Sequence, residues 1–126
     1  VTVLKDTGTA VFAAVDSGLN HLIRPMMYDA YHHIENISNS DGKEMLYTIT
    51  GNICETDTFA AGRSMKEIKE GDYLVFYNAG AYGFEMASNY NSRYKPAEVL
   101  FKENKANLIR KRDNMSDLLK NQVDLS

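Results

Sequence analysis

Three short segments of this 126-residue sequence carry side chains whose types and spacing could do chemistry. The first covers residues 80–91 and holds Tyr82 between two glycines. Because glycine lets the backbone bend sharply, this pattern predicts a bare loop that presents the Tyr82 phenol. A strand-like run, residues 73–77, leads into it, and polar groups at the end of a strand are a common way to build a site. The pattern is equally typical of a Gly-rich surface turn with packed tyrosines.

The second segment contains Arg24 and Tyr28, four residues apart. Pro25 is well suited to the first turn of a helix, which we predict over residues 26–33. With that spacing the guanidinium and the phenol can face one pocket. A planar guanidinium fits a carboxylate through charge-assisted hydrogen bonds. The alternative is a surface arginine that pairs with a neighbouring acid.

The third segment contains Cys54 and Glu55. Adjacent residues of a strand point to opposite sides, but on an irregular loop both can reach one cavity. A thiol beside a cationic cofactor could serve as an acid or a nucleophile, although a lone cysteine is also common as inert filler. The histidines and the cysteine do not have the spacing of a standard zinc site, so we expect no metal.

The elements that must position these groups are mostly short strands. Apolar runs of about five residues separated by turn signals predict an antiparallel sandwich or barrel. These runs are residues 11–15, 45–49, 73–77, 98–102 and 107–112. The polar residues 38–43 predict an exposed hairpin loop between strands. A terminal helical turn is expected over residues 116–121, with Ser116 as its cap.

Composition limits the classes of function. The formal net charge of −3 gives no reason to expect a nucleic-acid partner. No apolar run approaches the roughly twenty residues of a membrane span, and no signal peptide opens the sequence. A single cysteine excludes an internal disulfide and fits a reducing cytoplasm. The sequence starts at Val1 without an initiator methionine, so we expect a piece of a larger protein.

Several long motifs, in order and at similar spacing, resemble the C-terminal part of diaminopimelate decarboxylases. They are residues 15–31, Cys54-Glu55, residues 78–93, residues 96–99, residues 108–112 and residues 117–119. The resemblance covers nearly the whole chain.

The resemblance implies an enzyme of two domains that uses pyridoxal 5'-phosphate (PLP). Residues 1–126 would form a single C-terminal β-domain, an antiparallel barrel or sandwich like that of alanine racemase, with a few short helices. The N-terminal TIM-like barrel, which holds the Schiff-base lysine, would be absent from this chain. The fragment alone would therefore bind no PLP and have no activity. The full-length enzyme would be a cytoplasmic homodimer.

By resemblance, each candidate residue also acquires a role in converting meso-2,6-diaminopimelate to L-lysine and CO2. Arg24 and Tyr28 match residues that bind the distal carboxylate of the substrate, and Glu55 matches one that contacts its distal ammonium group. Tyr82 matches a tyrosine shared between the cofactor phosphate and the substrate. Cys54 matches the proton donor, delivered across the dimer interface.

Two other kinds of function stay open. A related decarboxylase for ornithine, arginine or carboxynorspermidine would keep the fold and the cofactor, but ornithine has no distal carboxylate for Arg24 to bind. A non-catalytic binding or dimerisation module would have no use for the retained polar groups, which cost free energy if they are buried without partners.

Overall fold

The structure, a computed structural model, describes residues 1–124. The chain folds into two compact units, Val1–Ala87 and a second that begins at Ser88. Strands predominate over helices among these residues, which confirms a mainly β chain with a few short helices. The strands are β1 (Val3–Asp6), β2 (Val11–Ala14), β3 (Ile34–Asn36), β4 (Glu44–Thr50), β5 (Thr58–Lys66), β6 (Leu74–Phe76), β7 (Glu98–Lys102) and β8 (Lys105–Arg110). The α-helices are α1 (Arg24–Tyr28), α2 (Gly80–Gly83) and α3 (Met115–Leu119), and Tyr90–Ser92 forms a short 3-10 helix.

A four-stranded sheet in the order β1-β2-β4-β5 forms the centre of the first unit. The pairs β1–β2 and β4–β5 are antiparallel, but β2 and β4 run parallel. The prediction of antiparallel strands is therefore wrong at this central pair. The sheet is open, with β1 and β5 as its edges, so a closed barrel or sandwich is not confirmed. A parallel pair needs a long crossover, and here the crossover, residues 15–43, carries Arg24 and Tyr28.

A second, two-stranded sheet pairs β3 with β6 in antiparallel register. Residues 38–43 connect β3 to β4, which belong to different sheets, so the prediction of a hairpin loop there is wrong. The run predicted over residues 73–77 is a strand at Leu74–Phe76. The rings of Phe59 and Phe76 meet edge to face, with centroids 4.9 Å apart, and so join β5 to β6.

The core of the first unit follows from the two-residue period of its strands. On β4, Tyr47 and Ile49 are buried while Leu46 remains exposed. Ile49 packs with Ala13 of β2, and both side chains are inaccessible to solvent. The Tyr47 hydroxyl accepts a hydrogen bond of 2.9 Å from the Ile68 N–H, so this buried phenol is satisfied.

The longest strand, β5, was not predicted from the sequence. It contains few β-branched or aromatic residues, and Gly62 interrupts it. The pairing shifts between Tyr47–Arg63 and Ile49–Ala60, which leaves one extra residue on β5. Gly62 lies in this bulge with φ +58°, a backbone conformation that glycine adopts without strain.

Helix α1 is shorter than the predicted span of residues 26–33. Pro25 lies in its first turn, as expected, and Asp29 ends it in a left-handed conformation with φ 52°. The Asp29 N–H caps the helix by donating to the Arg24 carbonyl. Beyond this point the chain is extended, because Ile34–Asn36 must pair with β6.

The second unit contains an antiparallel hairpin of β7 and β8 and the short helix α3. Glu103 and Asn104 both have positive φ, at 52° and 59°, which suits the two-residue turn of a twisted hairpin. The cap of α3 is Asn114 and not Ser116. The Asn114 side chain accepts from the Ser116 N–H at 2.8 Å, and the Asp117 carboxylate accepts from the Asn114 N–H at 2.9 Å.

Candidate functional site

Arg24 and Tyr28 lie at opposite ends of α1, one turn apart. Arg24 is partly buried, whereas Tyr28 is 60% exposed. The helix begins at Arg24, two residues before the predicted start, and therefore carries both side chains. The role given to Tyr28 is not tested by the contacts of this chain and stays a prediction.

Tyr82 lies in α2 and not in a bare loop. The glycines that flank it, Gly80 and Gly83, have no positive φ, so the sharp bend predicted from their flexibility is absent. A Cβ at Gly80 would meet no atom within 4 Å. The backbone beside Tyr82 is therefore open to solvent, and a ligand can approach it closely.

The structure brings Arg24 and Tyr82 together although 58 positions separate them in the sequence. The guanidinium carbon of Arg24 lies 4.5 Å from the centroid of the Tyr82 ring. This is a cation–π contact, which holds a guanidinium against an aromatic face without using its N–H groups. The N–H groups of Arg24 can therefore bind an anion while the ring fixes the position of the side chain.

Cys54 and Glu55 lie on the loop between β4 and β5, and both are exposed. The backbone there is irregular, so the two adjacent side chains are not forced to opposite sides. One backbone hydrogen bond at the start of this loop ties it to Ser17, and another joins its two ends. The Asn52 N–H donates to the Ser17 carbonyl at 2.9 Å, and the Gly51 N–H donates to the Asp57 carbonyl at 2.7 Å.

Sequence reasoning missed Asp57, a buried acid at the end of the same loop. Its residue exposure is only 5%. One carboxylate oxygen accepts from the Leu19 N–H at 2.7 Å, and the other accepts from the Ile53 N–H at 2.9 Å. Burial raises the pKa of Asp57, and the two N–H donors and the nearby His21 partly oppose the rise.

Two glycines make room for this carboxylate. An ideal Cβ built at Gly51 would lie 2.0 Å from Asp57 Oδ2, and one built at Gly18 would lie 2.9 Å from the same oxygen. No side chain larger than hydrogen fits at Gly51 while the carboxylate holds its place. The segment of residues 51–57 is visible in the sequence, but nothing in its spacing indicates that its last residue folds back over its first.

Within residues 1–124 no helix has the length and apolar character needed to cross a membrane. The same residues contain no group of three or more histidine, cysteine and acidic side chains that could hold a metal ion.

The chain matches the family model described as "Pyridoxal-dependent decarboxylase, C-terminal sheet domain" over residues 1–80. A protein of Aquifex aeolicus named diaminopimelate decarboxylase is 44% identical over 126 residues, which covers 99% of this chain and 30% of the relative. One of Methanothermobacter thermautotrophicus with the same name is 50% identical over 115 residues, covering 88% of this chain and 26% of the relative. The chain thus spans less than a third of the length of these relatives.

Solved structures of related proteins also match nearly the whole of this chain. A crystal structure from Aquifex aeolicus has a TM-score of 0.94 at 44% identity, and the match covers 99% of this chain and 31% of the other. The diaminopimelate decarboxylase of M. jannaschii in complex with L-lysine has a TM-score of 0.91 at 37% identity, covering 98% and 29%. The match to the family model covers more than half of this chain. The chain therefore belongs to the pyridoxal-dependent decarboxylases and corresponds to their C-terminal sheet domain.

Proposed function

We propose that the full-length protein is a PLP-dependent decarboxylase that converts meso-2,6-diaminopimelate to L-lysine and CO2. This chain supplies substrate-binding groups and a proton donor, and a further domain of the full-length protein holds the cofactor. The names of the relatives support the reaction. The observation in this chain that carries the proposal is the contact between Arg24 and Tyr82.

The substrate explains why a guanidinium is needed. Diaminopimelate has two amino-acid ends, and one must be bound while the other reacts. Arg24 offers N–H groups to the distal carboxylate while its planar face rests on Tyr82. The exposed phenol of Tyr28 and the carboxylate of Glu55 are proposed to complete the recognition, the first at the carboxylate and the second at the distal ammonium group.

Tyr82 and the open backbone beside it fit a phosphate group. Tyr82 is 54% exposed, and a Cβ built at Gly80 would meet no atom within 4 Å. A phenol can donate a hydrogen bond to a phosphate oxygen or to a carboxylate. When bound, PLP acts as an electron sink for the carbon that loses CO2. We place the lysine that carries PLP outside this chain.

Cys54 is proposed to return a proton to that carbon. When the bond to the carboxylate breaks, its electron pair stays on the substrate carbon and CO2 leaves. The carbon then takes one proton from the Cys54 thiol, which is left as a thiolate until solvent reprotonates it. Cys54 and Glu55 are both exposed, so a second copy of the full-length protein could receive them in its own site. A homodimer is part of the proposal on that ground.

The test is a decarboxylation assay on the full-length protein with PLP. The substrates compared are meso-diaminopimelate, ornithine, arginine and carboxynorspermidine. We expect lysine from diaminopimelate and no turnover of the others. Turnover of another substrate would keep the cofactor chemistry and overturn the specificity, whereas no turnover at all would favour a non-catalytic module.

The variant Arg24→Ala tests the residue assignment in the same assay. Charge-assisted hydrogen bonds contribute about 1.5–3 kcal/mol, so KM for diaminopimelate should rise by roughly 10- to 100-fold while PLP stays bound. Arg63→Ala is a matched control, since Arg63 also packs on a tyrosine, with its guanidinium carbon 4.2 Å from the Tyr31 centroid. Loss of PLP from the Arg24 variant would contradict its role in binding the substrate.

A further inference from the structure

The buried carboxylate of Asp57 connects two segments that carry candidate site residues. The carboxylate accepts a hydrogen bond from the Leu19 N–H, and Leu19 precedes Arg24 by five residues on the crossover that leads into α1. It also accepts a hydrogen bond from the N–H of Ile53, which immediately precedes Cys54. The segments are distant in sequence, and the side chain of Asp57 spans the gap between them.

We propose that Asp57 is a positioning residue that fixes the Cys54–Glu55 loop relative to the segment leading to Arg24. Asp57 does not touch the substrate in this proposal. It acts through the backbone, because each of its two carboxylate oxygens holds a different segment. The inference deepens the proposed function and rests on it for its catalytic consequence, but the structural part stands on contacts within this chain.

A stable core alone does not require this arrangement. Burial of a carboxyl group costs free energy, and burial raises the pKa of Asp57. The position of the carboxylate also requires glycine at residue 51, because a Cβ there would lie 2.0 Å from Asp57 Oδ2. The buried carboxylate and the required glycine are both explained if they serve to hold the loop in one conformation and not to stabilise the fold.

Backbone hydrogen bonds also hold the two ends of the loop of residues 51–57. The Gly51 N–H donates to the Asp57 carbonyl at 2.7 Å, so residues 51 and 57 are joined directly. The Asn52 N–H donates to the Ser17 carbonyl at 2.9 Å, which adds a second link to the crossover. Cys54 and Glu55 therefore lie at the tip of a short loop whose two ends are tied together and to residues 17–19.

The variant Asp57→Asn tests the role with almost no change in shape. An amide has one oxygen and one NH2 group, so it can accept from only one of the two N–H donors and must face the other with a donor. Gly51→Ala disturbs the same contact from the opposite side. Asp72→Asn is the control, because Asp72 Oδ2 also accepts two hydrogen bonds, from Asn36 Nδ2 at 2.9 Å and the Lys69 N–H at 2.8 Å, in another loop.

The first measurement is hydrogen–deuterium exchange by mass spectrometry on the full-length protein, followed in peptides that contain Leu19 and Ile53. In the unaltered protein both N–H groups should exchange slowly although they lie in loops. In Asp57→Asn and Gly51→Ala they should exchange about tenfold faster or more, whereas Asp72→Asn should leave them unchanged. Fast exchange in the unaltered protein overturns the proposal even if the variants fail to fold.

The second measurement separates a positioning role from a merely structural one. At a temperature where all variants are folded, Asp57→Asn should lower kcat and raise KM for diaminopimelate together, since both the Cys54 and Arg24 segments lose their anchor. Asp72→Asn should change neither. Faster exchange with unchanged kinetics overturns the positioning role. Absence of decarboxylation in the unaltered protein refutes the proposed function, while the exchange result still decides whether Asp57 fixes the loop.

Discussion

The guanidinium carbon of Arg24 rests 4.5 Å from the centre of the Tyr82 ring, so a helix in the crossover and a helix after β6 meet at one aromatic face. The contact leaves two groups available for a ligand, the N–H fork of Arg24 and the hydroxyl of Tyr82. Because the ring and the hydroxyl serve different purposes, they can be separated by substitution.

Substitution of Tyr82 should distinguish ring from hydroxyl in the full-length protein. Tyr82→Phe keeps the cation–π face but loses the hydroxyl, so we expect PLP to bind roughly tenfold more weakly with KM for diaminopimelate less affected. Tyr82→Leu also removes the aromatic face and should raise KM further, because Arg24 is no longer held. Equilibrium dialysis with PLP and steady-state kinetics measure the two effects. Equal behaviour of both variants would show that the ring contributes nothing.

Substitution of Cys54 and Glu55 should affect different kinetic constants. Cys54→Ala removes the proposed proton donor, so kcat should fall by about 10²-fold or more while KM changes little. Glu55→Gln removes the anion proposed for the distal ammonium group, so KM should rise and kcat should change less. Steady-state assays of lysine formation test both. A Cys54→Ala enzyme with normal kcat would assign the proton to another group.

The stability contributed by Asp113 should depend on pH. The side-chain N–H of Asn89 and the backbone N–H of Lys95 hydrogen-bond to its carboxylate and lower its pKa. A carboxyl whose pKa is lower in the folded state stabilises that state above its unfolded pKa, near 3.9, and loses this effect as the pH falls through the folded pKa.

Asp113→Asn should therefore be less stable than the unaltered chain at pH 7, and the difference should disappear in strong acid. Denaturant unfolding at several pH values measures it. Asp41→Asn is a suitable control, since Asp41 is an exposed acid of a surface loop. A difference that stays constant with pH would show that the charge of Asp113 is not responsible.

The β7–β8 hairpin should make the 126-residue chain associate with itself. Val99, Phe101 and Leu108 lie on one face of the hairpin and are 57%, 70% and 60% exposed. Apolar faces of this kind mark contacts with another surface. We expect Phe101→Lys combined with Leu108→Lys to shift sedimentation of the chain towards the monomer, whereas Leu46→Lys on β4, also an exposed leucine, should not. A monomeric unaltered chain would contradict the prediction.

The isolated 126-residue chain should neither bind PLP nor form lysine. Its exposed Tyr82 can contact a phosphate, but one phenol with one guanidinium is a small part of a cofactor site. Dialysis with PLP and an assay of lysine formation test the prediction. Tight PLP binding by this chain would show that the cofactor site lies largely within it.

The sequence determined the chemical groups and much of the local structure. Pro25 indicated the helix that carries Tyr28, and the strands at residues 45–49 and 98–102 follow from their apolar residues and flanking turns. The motifs, in their order along the chain, were sufficient to identify the family. The helix and the strands are local features, so short stretches of sequence are enough to predict them.

Tertiary structure alone decided three things. The parallel pairing of β2 with β4 depends on a crossover of nearly thirty residues, which no local pattern encodes. The strand β5 forms because its backbone pairs with β4, despite its own weak propensity. Asp57 is buried because residues 17–19 and 51–53 bring N–H donors to it, and a carboxylate leaves water only where such donors are already in place.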